Sequence, residues 1–310
     1  MLEPAVILLR LVQFAGAMIL FGSSLFALYA LPVHRPGSVP GAPWLRPLLS
    51  WSAAGLVIGS LVGLLTQTSM LAGSMTEGLK LSSLSAVATT MGLGRSALVR
   101  TAAAGLALLL LVVRRPDRRT LSACAILGAI VCASFAWMGH GAATEGAEGP
   151  LHLAADMLHA LAAGVWIGAL VGFGFLAFRR SGHTADTHAG LHKALHGFSG
   201  VGSGLVAVLL VTGLINSWFL VGPSRIAGLW TTPYGLLLSV KLALFVGMLG
   251  LAAANRFRLT PALGVALDTS GAPEAALGAL RLSLLLETSL AVSVLGLVAW
   301  FGMLAPVSAQ

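Results

Sequence analysis

Charged residues are scarce in this chain of 310 residues. Lys, Arg, Asp and Glu make up 9% of it, whereas 57% is hydrophobic and the mean hydropathy is +0.93. A soluble domain carries about 25% charged residues. So few charges cannot coat a globule of this size, which excludes a soluble enzyme or binding module. Because runs of about 20 apolar residues recur along the whole chain, the sequence predicts an all-α, polytopic integral membrane helical bundle.

Cysteine is nearly absent. Cys124 and Cys132 are the two present, and both fall in one apolar segment. Eight residues along a helix separate them by about 12 Å, which is too far for a disulfide. The sequence therefore predicts neither a disulfide framework nor a metal site built from cysteines. The chain also lacks a P-loop motif for ATP, and we expect it not to be an enzyme.

Eight membrane spans can be read from the apolar runs, with ends defined to a few residues. The two halves of the chain are 1–139 and 140–310, with four spans each. We expect the seventh span to end before Asn255, where a long loop begins that ends near Arg281. The eight spans are about 5–31, 48–72, 96–113, 120–139, 151–178, 197–221, 234–254 and 280–305.

Basic residues are distributed unevenly over the predicted connections. Four connections that fall on one side hold about twelve of the 18 Lys and Arg residues, and the opposite side holds about four. The positive-inside rule places the basic side in the cytoplasm, so both termini are expected in the periplasm of a bacterial inner membrane. The net charge of +8 is therefore attributed to topology, and no nucleic-acid partner is expected.

The fifth span carries the densest set of polar residues in any span. His152, Asp156, His159 and Trp166 are spaced by four, three and seven residues, so a helix places them on one stripe. Ionisable groups inside a membrane usually face the interior of a bundle and mark an ion path. The alternative is a hydrogen-bonded polar seam that fixes helix packing. Three ionisable groups on one stripe favour function.

Further candidates lie on neighbouring spans and in one loop. Met138 and His140, at the end of the fourth span, offer the thioether and imidazole that suit a soft or borderline ion such as copper. A loop with histidines four residues apart adds candidate cytoplasmic metal ligands at His188, His192 and His196. Polar groups expected along the path or behind the ligands are Asn216, Tyr234, Lys241 and Glu287; we prefer a pairing of Lys241 with Asp156, since an unpaired buried ammonium is costly.

Several stretches of the C-terminal half resemble the bacterial copper resistance protein D family, which includes CopD, PcoD and the membrane portion of YcnJ. The resemblance spans roughly residues 140–290, and its motifs are specific in combination. The matching stretches are His152 to His159 with Gly164 to Gly168, Phe198-Ser199, Thr212 to Trp218, Thr232 to Lys241, Asn255 to Phe257, and Glu287.

The resemblance implies an inner-membrane protein that moves copper from periplasm to cytoplasm. It also implies a periplasmic copper carrier like CopC, here as a separate chain because no such domain is fused to this one. In this interpretation His140, His152, His159, Asp156 and Met138 hold the metal. Membrane lipid is the other expected partner.

Two alternatives remain open from the residues alone. One is a membrane cytochrome with haem between helices, for which His140 and His152 are the available imidazole pair on the outer side. The other is a copper sensor or partner-docking protein that transports nothing. A Soret band in the purified protein would indicate haem.

Overall fold

The computed structural model describes residues 3–31, 42–139, 142, 144, 146–178, 185–269 and 273–309, and within these ranges it contains helices and turns but no strand. Eight of the described helices are long and apolar enough to cross a membrane. The predicted all-α polytopic bundle is confirmed. The spanning helices are α1 (Pro4–Ala30), α2 (Leu45–Leu71), α3 (Gly92–Val113), α4 (Arg118–Met138), α5 (Gly149–Ala177), α6 (Ala185–Leu220), α7 (Pro233–Asp268) and α8 (Glu274–Phe301).

Contacts at the two ends of the bundle establish that helices consecutive in the chain run in opposite directions. At one end, Arg46 at the start of α2 donates to the Leu111 carbonyl near the end of α3, and Arg281 of α8 donates to the Ala177 carbonyl at the end of α5. At the other, Arg225, which follows α6, donates to the Val307 carbonyl beyond α8. We call the end with Arg46 and Arg281 the basic end, and the end with Arg225 the terminal end.

The centre of the bundle is a close crossing of α1 and α5. A π-helical turn, Ile19–Ser23, interrupts α1 where it meets α5. A Cβ atom on Gly22 would collide with the Gly164 carbonyl, and one on Gly168 would collide with the Gly22 backbone. Small residues let membrane helices approach to backbone contact in this way. The crossing fixes the rotation of α5 and therefore the direction of its polar stripe.

Two short helices, Met75–Gly78 and Leu81–Thr90, connect α2 to α3 at the terminal end. The Ser74 hydroxyl caps the first by accepting from the Glu77 amide at 3.1 Å. A third, Gly228–Thr231, precedes α7, whose first turn is capped by the Thr232 hydroxyl.

Helices α6 and α7 extend further at the basic end than the apolar runs indicated. α6 begins at Ala185, so the three histidines of the expected loop lie on a helix. The loop expected after Asn255 is wrong: a π-helical turn, Asn255–Leu259, leads directly into the helix Thr260–Asp268. Asn255 is buried there and its side chain is hydrogen-bonded, which anchors the turn that continues the helix.

Candidate functional site

The polar stripe of α5 faces protein at its terminal end. His152 is 1% exposed. Its ring stacks on that of Phe219 of α6 with 4.5 Å between centroids, and its Nδ1 lies 2.7 Å from the Thr144 hydroxyl. His152 is therefore enclosed between the segment before α5 and the end of α6.

Asp156 is one turn deeper and joins three helices. Its Oδ1 accepts a hydrogen bond of 2.7 Å from Asn216 Nδ2 of α6. Its Oδ2 lies beside Gly139, at the end of α4, 3.7 Å from where a Cβ atom would stand. The carboxylate therefore lies between α4, α5 and α6, with one oxygen toward Asn216 and the other toward the end of α4.

His159 is held by Thr212 of α6, whose hydroxyl lies 2.9 Å from Nδ1. The same hydroxyl donates its single proton to the Val208 carbonyl at 2.7 Å. The oxygen must then accept from Nδ1–H, which leaves a lone pair on Nε2. Fixing the tautomer through one nitrogen so that the other can bind a metal is the usual arrangement of a ligating imidazole.

Lys241 and Tyr234 of α7 complete this level of the bundle. Lys241 Nζ lies 5.7 Å from the centroid of the Phe301 ring. The expected pairing with Asp156 is not a direct ion pair, since among the described residues Lys241 Nζ has no carboxylate oxygen within 4.0 Å. Tyr234 is 1% exposed and packs edge-on against Phe301, with 5.1 Å between the ring centroids. We call Asp156, His159, Thr212, Asn216, Tyr234 and Lys241 the first polar layer.

A second polar layer lies about 10 Å further along α5, seven residues after His159. Trp166 Nε1 donates to Glu287 Oε1 of α8 at 2.7 Å, and Asn255 Nδ2 of α7 donates to Glu287 Oε2 at 2.9 Å. All three side chains are buried. The triad ties α5, α7 and α8 together through one carboxyl group.

The second polar layer borders a cavity of about 670 Å³ toward the basic end. Its walls are mostly apolar, with Leu170, Phe173 and Phe198 among them. Polar groups at its walls besides the triad are His192, His196, Ser199, Ser203, Arg256 and Thr260. The cavity is therefore a space between α5, α6, α7 and α8 into which imidazole, hydroxyl and carboxyl groups project.

The candidate cytoplasmic histidines divide into two sets. His192 and His196 line the cavity with their rings roughly parallel and 6.2 Å between centroids. His188 is buried at 8% exposure and does not line the cavity.

The remaining candidates are less well defined. Met138 is half-buried in the 3₁₀ turn that ends α4. His140 lies outside the described residues, and so does the pairing of His140 with His152 that the haem alternative requires. Within the described ranges, no three His, Cys, Asp or Glu side chains converge to hold a metal ion. The described part of the site thus offers successive polar stations with few ligands each.

Sequence reasoning assigned no role to three polar residues that the structure shows to be buried and hydrogen-bonded. Thr212 and Asn255 orient His159 and Glu287, and each carries a polar group in or at the end of a span, which was the available signal. In the N-terminal half, Arg100 is 1% exposed; it donates to Ser134 Oγ at 3.0 Å and stacks over Phe135. Arg100 therefore links α3 to α4, at a place away from the polar stripe of α5.

Comparison with known proteins links both halves of the chain to one family. Residues 1–151 match the family described as Copper resistance protein D-like, N-terminal domain, and residues 192–301 match the family described as Copper resistance protein D. A Pseudomonas syringae pv. tomato protein named Copper resistance protein D is 37% identical over 307 residues, covering 98% of this chain and 97% of that protein. No solved structure matches the chain.

Proposed function

Since the chain belongs to the copper resistance protein D family, we propose that it carries copper across the bacterial inner membrane from the periplasm to the cytoplasm. The activity is movement of an ion without bond cleavage. The uneven distribution of Lys and Arg supports this orientation, with the basic end in the cytoplasm and both termini in the periplasm.

One observation carries the proposal: the two polar layers share a face of α5 and the second borders a large cavity. A bare ion cannot cross hydrocarbon, so side chains must replace its hydration water and then release it. The first layer offers the Asp156 carboxylate and the Nε2 lone pair of His159, oriented by Thr212. The cavity offers His192 and His196 on the way to the basic end.

Sparse ligation at each station suits transport better than storage. Conduction requires binding that is favourable enough for entry and weak enough for exit. A closed site with four protein ligands, as in structural zinc sites, would hold the ion. We infer that Met138 and His140 deliver copper to Asp156 and His159, and that a separate periplasmic carrier supplies it.

Copper accumulation in cells tests this function. We expect His159→Ala to abolish copper uptake at unchanged membrane abundance, because the His159 imidazole and the Asp156 carboxylate are the metal ligands that the first polar layer offers, about 15 Å from the start of α5. Leu158→Ala is the matched control: Leu158 is the preceding residue, is 53% exposed and faces away from the polar layers.

The control should accumulate copper as the unmodified protein does. Normal accumulation by His159→Ala, or equal loss in both variants, would contradict the proposed path. A Soret band that disappears with His152→Ala would favour the haem alternative instead.

A further inference from the structure

Glu287 is a carboxyl group in an unusual position for a membrane span. It is 3% exposed and lies about midway along α8. Both of its oxygens accept hydrogen bonds, and both donors, the Trp166 indole and the Asn255 amide, are neutral. A buried carboxylate without a positive partner is costly, and taking up a proton relieves that cost.

Charged groups on the surrounding helices do not neutralise Glu287. Within the described part of the chain, no Lys, Arg or His nitrogen lies within 4.0 Å of its carboxyl oxygens. On the cavity wall, α6 brings His192 and His196, and α7 brings Arg256, which instead donates to the Ser203 hydroxyl. α5 adds no titratable group to the wall, and Arg10 of α1 lies at the terminal end beside Gly302.

Asn255 can serve either protonation state of the carboxyl. Its amide nitrogen donates to Glu287 Oε2, whereas its amide oxygen is buried and has no hydrogen-bond partner within the described residues. Rotation of the amide by half a turn would present that oxygen to a carboxylic acid proton. Trp166, a donor only, remains bonded to the other oxygen in both states.

We propose that Glu287 carries a proton while the cavity holds no cation and releases that proton to water when a cation enters the cavity. The carboxylic acid O–H bond breaks, the carboxylate stays bonded to Trp166 and Asn255, and the proton leaves through the cavity. The carboxylate then compensates the charge of the ion. This inference rests on the proposed function, since the cation is the copper in transit.

Infrared difference spectroscopy of the purified protein tests the protonation directly. The probe is silver ion, a monovalent soft cation that needs no reductant. In the unmodified protein, silver should remove the C=O band of a protonated carboxyl, and an indicator dye in weak buffer should report a released proton. Glu287→Gln should show neither change. Glu287→Asp should restore both in part.

Cation affinity provides a second readout. If one proton is displaced, the dissociation constant for silver rises up to tenfold for each pH unit by which the pH falls, in the range where the carboxyl is protonated. The paired variant His192→Gln/His196→Gln removes both imidazoles from the cavity wall. Silver should bind this variant more weakly, because two ligands are lost, but the pH dependence of the remaining binding should persist and should flatten when Glu287→Gln is added.

The outcomes separate this inference from the proposed function. If Glu287→Gln binds silver with the pH dependence and the infrared change of the unmodified protein, the proton assignment is overturned. The proposed copper transport is then unaffected. A protein that binds no silver at all would overturn the proton assignment, and copper uptake by the same protein would decide separately whether the proposed function stands. The assignment is supported if Glu287→Gln still binds silver but shows neither the infrared change nor the released proton, while the unmodified protein shows both.

Discussion

Replacement of Thr212 by valine tests whether the orientation of His159 matters for the metal. The two side chains have nearly the same shape, so packing between α5 and α6 is retained while the hydroxyl 2.9 Å from His159 Nδ1 is lost. Nδ1–H then has no acceptor there, and the imidazole is free to rotate or change tautomer. Losing the partner of a ligating histidine typically costs 10–100-fold in metal affinity, or about 1.4–2.8 kcal/mol.

The stability cost should be smaller than the binding cost. One buried hydrogen bond contributes about 1 kcal/mol to folding. Thr212→Val should therefore fold and insert normally but take up copper at roughly a tenth or less of the normal rate at limiting copper. Thr212→Ser keeps the hydroxyl and should recover most uptake. Ser217→Ala is the matched control on α6, since among the described residues the Ser217 hydroxyl bonds its own helix, at the Gly213 carbonyl.

A double-mutant comparison makes the test specific. If Thr212 acts through His159, then adding Thr212→Val to His159→Ala should change copper affinity no further. Additive losses would mean that Thr212 contributes independently. Equal uptake by Thr212→Val and the unmodified protein would refute the reasoning that a fixed Nε2 lone pair binds copper.

Three predictions concern stability, each measured by thermal unfolding in detergent. Gly168→Ala should lower the free energy of unfolding by about 1–3 kcal/mol because the added Cβ atom would meet the α1 backbone. Gly174→Ala is the control and should leave the free energy of unfolding unchanged, since the space around Gly174 is open. Arg100→Leu should cost about 1–3 kcal/mol by leaving buried acceptors unpaired. Asp117→Ala removes the cap of α4 and should cost about 1 kcal/mol at pH 7. The Thr120 amide holds the pKa of Asp117 below its usual value, so this cost should persist above the usual pKa and disappear as the pH falls through the folded-state pKa.

The spanning helices were predictable because hydropathy alone sets them. Each of the eight apolar runs corresponds to one spanning helix. However, α6 begins before its run does, and α7 continues beyond the end of its run. α6 and α7 continue at the basic end through residues such as Lys193 and Arg256, whose charges read as loop. Hydropathy reports where a helix leaves the membrane, whereas capping and tertiary contacts decide where it ends.

The candidate site was predictable only where one helix carries it. The spacing of His152, Asp156 and His159 requires a common stripe on any helix, whatever the helix packs against. The partners Thr212 and Asn255 lie on other helices, and their contacts depend on helix rotation, which the α1–α5 crossing at Gly168 fixes. The cavity could not be predicted from the sequence because it is a space between four helices.

Copper flux into proteoliposomes tests most directly the claim that the α5 stripe carries copper. Purified protein would be reconstituted into vesicles, and copper inside the vesicles measured over time against protein-free vesicles. We predict copper entry with the unmodified protein and Leu158→Ala, and none above background with His159→Ala. Entry at equal rates in all three, or no entry with the unmodified protein, would contradict the account.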